Sequence, residues 1–156
     1  MKFKKIIIFG SSGSGNTTTL EYICANIVKT AAMDYGNTVL NGIKVHFFAP
    51  SGKERFGFMH EVLSKNVDGA IILIDSTKGI TENDLKILNF IKEKKVPEVI
   101  FENKQDKGSK NLNIEFYNIP VIPTIATTGH GIKKGLITLF ELMNEKTTMI
   151  NLVISA

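Results

Sequence analysis

Tryptophan is absent from these 156 residues, cysteine occurs once and histidine three times. The single thiol, Cys24, cannot close an internal disulfide, so a reducing, cytoplasmic setting is expected. His46, His60 and His130 are scattered without ligand spacing, which argues against a histidine metal centre. No Ser-His-Asp or Cys-His arrangement can be argued from the sequence either. No apolar stretch approaches the roughly 20 residues of a membrane span. The start, Lys2 to Lys5 and then Ile6 to Phe9, imitates a signal peptide, but its apolar run stops at Gly10, short of the usual run of about seven to fifteen. Position 2 is not glycine and no cysteine lies near the C-terminus, so no stable membrane anchor is expected.

What is present fits one globular domain over residues 1–156. Hydrophobic residues make up 43% and charged residues 22%, near the globular average, which excludes disorder, collagen and coiled coil. A net charge of +4 suits a nucleic acid, a membrane surface or a phosphorylated ligand, without choosing among them. Five short apolar runs, Lys5–Phe9, Ile43–Phe48, Ala70–Ile74, Glu98–Phe101 and Val121–Ile125, are nearly continuous, as strands buried on both faces are. Between them, Thr18–Lys29, Glu82–Lys94 and Ile132–Met143 carry apolar residues at helical spacing, with Thr81 as an N-cap. Alternation of this kind predicts an α/β fold. One connection differs: Thr38-Val39-Leu40, Asn41-Gly42, Ile43-Lys44-Val45 is a type I′ hairpin signal, so strand 2 should run antiparallel. The expectation is a three-layer sandwich of about six strands in the order 2-3-1-4-5-6. The tail from Lys146 to Ala156 has no place in it.

The first strand is followed by Gly10-Ser11-Ser12-Gly13-Ser14-Gly15-Asn16-Thr17, which opens the first helix. Glycines allow successive backbone N–H groups to converge on an anion, and the helix N-terminus adds a positive dipole. Further on, Asn103-Lys104-Gln105-Asp106 follows the fourth of these runs, and Ala126-Thr127-Thr128-Gly129 follows the last. With Thr30 and Ala49-Pro50-Ser51-Gly52-Lys53-Glu54-Arg55-Phe56 between them, the order of motifs resembles the small Ras-like P-loop GTPases, nearest the compact prokaryotic members, over about residues 4 to 145.

That resemblance implies GTP and GDP as ligands, with Mg²⁺ as cofactor. Gly10, Ser11, Ser12, Gly13, Ser14, Gly15, Asn16, Thr17 and Thr18 would surround the phosphates. Thr17 and Thr30 would ligate the metal, Thr30 and Gly52 sensing the γ-phosphate. Asp106 would accept the guanine N–H groups, Asn103 would brace its loop, and Lys104 would lay its stem along the base. Ala126, beside Thr127, would offer its N–H to the guanine oxygen. The segment Arg55–Met59 would be an effector surface; no nucleic-acid partner is implied.

Three positions depart from the family pattern. Asn16 stands where a lysine contacts the phosphates, Ala49 where an aspartate holds Mg²⁺, and Lys53 where a glutamine orients the attacking water. Guanine-nucleotide binding with slow or impaired hydrolysis is the expectation. Asp75, at the end of Ile71–Ile74, has the shape of a metal-binding strand end but is read as merely ending its strand. Two alternatives remain open at this stage. The loop is also similar to the flavodoxin phosphate loop, which would make the chain an FMN-binding electron carrier; the other alternative is a Ras-like interaction domain without nucleotide.

Overall fold

The computed structural model describes residues 3–11, 13–50, 65–108 and 118–143. The chain runs β1 (Phe3–Gly10), α1 (Asn16–Ile23), β2 (Ile27–Lys29), β3 (Met33–Leu40), β4 (Ile43–Pro50), β5 (Gly69–Asp75), α2 (Glu82–Lys94), β6 (Glu98–Asn103), a 3₁₀ turn (Gln105–Lys107), β7 (Val121–Pro123) and α3 (Ile132–Leu142). The strands form one sheet in the order β2-β3-β4-β1-β5-β6-β7.

Both sheet faces are covered, and the sequence shows why. Consecutive residues of a strand point to opposite faces, so apolar runs such as Ile6–Phe9 and Ala70–Ile74 feed two cores at once. Ile6, Ile8, Ile71, Leu73, Val99 and Phe101 join Leu20 and Ile23 of α1 and Leu136, Leu139 and Phe140 of α3. Ile7, Phe9, Ala70, Ile72, Ile74 and Ile100 join Ile87, Leu88 and Ile91 of α2. The result is the expected α/β three-layer sandwich. Among the described residues, no helix is long and apolar enough to cross a membrane.

The Asn41-Gly42 turn takes positive φ at both positions, 52° and 75°, as a type I′ turn requires. It fixes the antiparallel register of β3 on β4, from Leu40 opposite Ile43 out to Met33 opposite Pro50. The expected strand order is present, with a seventh strand added at the edge.

That strand, β2, corrects the helix expected over Thr18–Lys29. The helix ends at Ile23, Cys24 is extended (φ −115°, ψ 134°), and Ile27–Lys29 pairs antiparallel with Asp34–Gly36. A short apolar run satisfies either period, and here cross-strand pairing of the β-branched Ile27 and Val28 prevails. Gly36 makes room for the change. A Cβ there would stand 2.9 Å from Cys24 Sγ and 3.0 Å from Ile27 Cγ2.

Helix α2 begins with a reciprocal cap. Thr81 Oγ1 accepts from the Asp84 N–H at 3.2 Å, and Asp84 Oδ2 accepts from the Thr81 N–H at 2.9 Å.

Candidate functional site

The site lies at the C-terminal ends of β1, β5 and β6, where the loop after β1 turns into α1. Gly13 and Gly15 adopt left-handed φ of 83° and 109°, so the chain doubles back and the Ser14 N–H donates to Ser11 O at 3.0 Å. Helix α1 starts at Asn16 with no acidic residue of its own in the first turn, so its N-terminal dipole faces the loop.

Two sets of hydrogen bonds hold this loop from either side. Ser11 Oγ donates to Asp84 Oδ1 at 2.9 Å and accepts from Asn83 Nδ2 at 3.0 Å, tying the loop to the start of α2. On the other side, Asn103 Nδ2 donates to Ser14 O at 2.9 Å. The Asn103 Oδ1 accepts from the Ala126 N–H at 2.9 Å and from Thr124 Oγ1 at 3.2 Å. Asn103, Ser14 and Thr124 are all buried. One carboxamide therefore joins the glycine loop, the end of β6 and the loop after β7.

Two adjoining hollows result. A cleft of about 500 Å³ is lined by Gly10, Ser11, Gly13, Gly15, Asn16, Thr17, Thr18, Thr30, Met33, Asp34, Ala49, Pro50 and Lys104. A smaller one of about 80 Å³ is lined by Gly15, Thr18, Asn103, Lys104, Asp106, Lys107, Ile125, Ala126 and Thr127. Gly15, Thr18 and Lys104 line both. The structure thus brings together nearly all the described residues singled out from the sequence. Ser12, Gly52, Lys53, Arg55–Met59 and the tail 146–156 lie outside the described residues.

Lys104 takes a left-handed φ of 66° at the head of the 3₁₀ turn. It borders both hollows, and its ammonium pairs with Asp75 Oδ2 at 2.9 Å. Burial pushes the Asp75 carboxyl up, but hydrogen bonds from Thr77 and Lys104 outweigh it and hold it below the usual carboxylate range. Asp75 ends β5, as read from the sequence, and lines neither hollow. Asp106 is exposed at the rim of the smaller hollow.

Two assigned groups are engaged otherwise than the resemblance implies. The Ala126 N–H already donates to Asn103, so the contact to a base oxygen that the resemblance implies would be a shared, three-centre bond. Thr30 caps the turn between β2 and β3, its hydroxyl donating to Met33 O at 2.6 Å and accepting the Met33 N–H at 3.0 Å. It borders the cleft from that turn.

The Asn16 side chain is folded back into the loop, its Oδ1 accepting from Ser14 Oγ at 3.2 Å and its Nδ2 donating to Gly10 O at 3.4 Å. Among the described residues the cleft's lining therefore carries one cation, Lys104, already paired, and one carboxylate, Asp34. Asp34 was not singled out from the sequence. It sits on β3 directly opposite Ala49 and accepts from Thr17 Oγ1 at 2.8 Å. The signal for it was the hairpin: a two-residue turn at 41–42 pairs residue 40 with 43, and counting outward pairs 34 with 49.

No family model matches the chain. It is 37% identical over 147 residues to the uncharacterized protein MJ1339 of Methanocaldococcus jannaschii, covering 90% of this chain and 93% of that one. Ras-related protein Rab-32A of Dictyostelium discoideum is 29% identical over 123 residues, 67% of this chain and 56% of its own length. Translation initiation factor IF-2 of Mycoplasmopsis pulmonis is 27% identical over 168 residues, 94% of this chain and 27% of its own.

Proposed function

The chain belongs to one family with MJ1339, and we propose that it binds guanine nucleotide with Mg²⁺ in these two hollows and hydrolyses GTP slowly or not at all. Its distant Ras- and Rab-related and IF-2 homologues support a GTP-binding protein of the P-loop class. The observation that carries the reading is the Asn103 clamp, which sets the glycine loop beside the smaller hollow that Lys104, Asp106 and Ala126 line.

In this reading the N–H groups of Gly13, Gly15, Asn16 and Thr17 receive the phosphates at the start of α1, that of Ser14 being already given to Ser11 O. Asp106, on the rim of the smaller hollow, accepts the two N–H groups that distinguish guanine from adenine, and the Lys104 stem covers the base. The residues also fit a divalent cation. Thr17 Oγ1 and the Asp34 carboxylate lie together in the cleft lining, and Mg²⁺ is commonly held by one or two protein oxygens with substrate phosphates supplying more. When bound, the cation would neutralise phosphate charge. Phosphate affinity is expected to be modest, because the Asn16 amide brings no charge. Replacing a charge-assisted hydrogen bond costs about 1.5–3 kcal/mol, roughly ten- to a hundredfold. Lys53, with no acceptor for a water proton, accounts for the slow hydrolysis.

An FMN-binding carrier is the weaker reading, since β3 runs antiparallel to both its neighbours instead of completing a parallel sheet. A fluorescence titration of the full chain with GDP, GTP, ATP and FMN in Mg²⁺ decides between them. GDP and GTP should bind and ATP should not compete. Binding of ATP or FMN with no guanine nucleotide bound would overturn the reading. Single-turnover hydrolysis at the rate of a GTPase with intact lysine and glutamine would overturn the catalytic half.

A further inference from the structure

We propose that Asp34 is the carboxylate of a divalent-cation site built on Thr17, supplied from β3 across the strand pair from Ala49. This rests on the guanine-nucleotide reading and adds the residue that the sequence motifs leave missing.

Four observations converge on it. Asp34 is the one carboxylate in the cleft's lining, among the described residues. Its Oδ2 accepts the Thr17 hydroxyl proton at 2.8 Å, which leaves the lone pairs of that hydroxyl oxygen for another partner. Its register partner is Ala49, whose methyl side chain has no ligating atom, so this end of the β3–β4 ribbon carries its carboxylate on β3. The charge count supplies the need. The cleft's one ammonium is held by Asp75 and the Asn16 amide is turned back to Gly10 O, so no free cation among the described residues faces a polyphosphate. Among the described residues no group of three or more His, Cys, Asp or Glu could cage a metal unaided. A site of one carboxylate and one hydroxyl is therefore open and completes its coordination with phosphate oxygens and water, the arrangement Mg²⁺ favours over all-protein cages.

The geometry also separates this carboxylate from Asp75, which is bound to Thr77 and Lys104 and borders neither hollow. Asp34 thus orients Thr17, and the pair forms the protein's share of the coordination shell.

The test uses the full chain with GDP and Mn²⁺, free Mn²⁺ being read by electron paramagnetic resonance. GDP affinity in chelator is measured separately for each variant. Asp34→Asn should weaken Mn²⁺ binding to the GDP complex about ten- to a hundredfold, the range for loss of a charge-assisted contact, while GDP affinity in chelator is not weakened, since a carboxylate facing the phosphates without metal only repels them. Restoring a carboxylate across the ribbon, in the double variant Asp34→Asn with Ala49→Asp, should recover most of the loss. Asp34→Ser serves as a second removal of the carboxylate should the asparagine variant fail to fold. Wild-type Mn²⁺ affinity in a folded Asp34 variant overturns the proposal while leaving guanine binding standing. No GDP binding by the wild-type chain, with or without Mn²⁺, overturns the guanine reading and this site together.

Discussion

Replacing Asn103 by alanine removes three hydrogen bonds from one buried point. Asn103 is 2% exposed, and its partners Ser14, Thr124 and Ala126 are 1%, 1% and 5% exposed. Water therefore cannot take its place without opening the structure. Each buried group left unsatisfied costs about 1–3 kcal/mol. The Thr124 hydroxyl can rotate towards another acceptor, so Ser14 O and the Ala126 N–H dominate the sum. The expected loss is about 3–5 kcal/mol, which for a chain of this size lowers the melting midpoint by about 10 °C. Urea denaturation gives the first number and amide hydrogen exchange locates it. Ala126 should lose protection in Asn103→Ala. In Asn103→Asp it should keep it, because that variant retains the acceptor for Ala126 and loses only the donor to Ser14 O. A loss under about 1 kcal/mol for Asn103→Ala, with Ala126 still protected, would refute the claim that this carboxamide joins the two halves of the site.

Gly13 and Gly15 both have positive φ, but a Cβ at Gly15 would meet Asn103 Nδ2 whereas one at Gly13 meets nothing within 4 Å. Gly13→Ala should therefore cost about 1 kcal/mol and Gly15→Ala about 2–4 kcal/mol in urea denaturation, from backbone strain plus the broken clamp; equal costs would contradict the contact. Burial pushes the Glu98 carboxyl up to about 7, against the opposing pull of Lys92, and its Oε1 has no hydrogen-bond partner. The folded state thus holds this proton more tightly than the unfolded chain, so its stabilisation is complete below about 4.5 and is lost as pH rises through about 7. Melting midpoints of wild type should fall across that window relative to Glu98→Gln; parallel profiles would contradict it. Cys24 is 1% exposed and burial pushes its thiol up to about 12, so a disulfide reagent at pH 8 or so should label it only after denaturation.

The apolar runs made the sheet readable, because continuous Ile and Val stretches buried on both faces have few other solutions. The hairpin was readable from two residues, since only a left-handed pair such as Asn41-Gly42 closes so short a turn. The first helix was read too long because Ile27 packs against the same core whether helical or extended. Only its pairing with Gly36, nine residues downstream, settles which it is. In the site, Asn103 was read as a brace because its neighbours in the chain announce it. The Lys104–Asp75 pair depends on β6 lying beside β5 with Asn103 opposite Asp75, a relation between strands that no local pattern encodes. Asp34 was missed for a different reason. Its own surroundings carry no motif, and its meaning comes from facing Ala49 and Thr17.

The carboxylate of Asp84 closes the cap of α2 with one oxygen and holds Ser11 with the other. A substitution at Thr81 or Asn83 that would pass elsewhere as a routine change at a helix start is therefore transmitted to a loop some 70 positions away, 73 separating Ser11 from Asp84. Positions 11, 81, 83 and 84 are one hydrogen-bonded unit, so a change at the helix start should be felt in the shape of the loop.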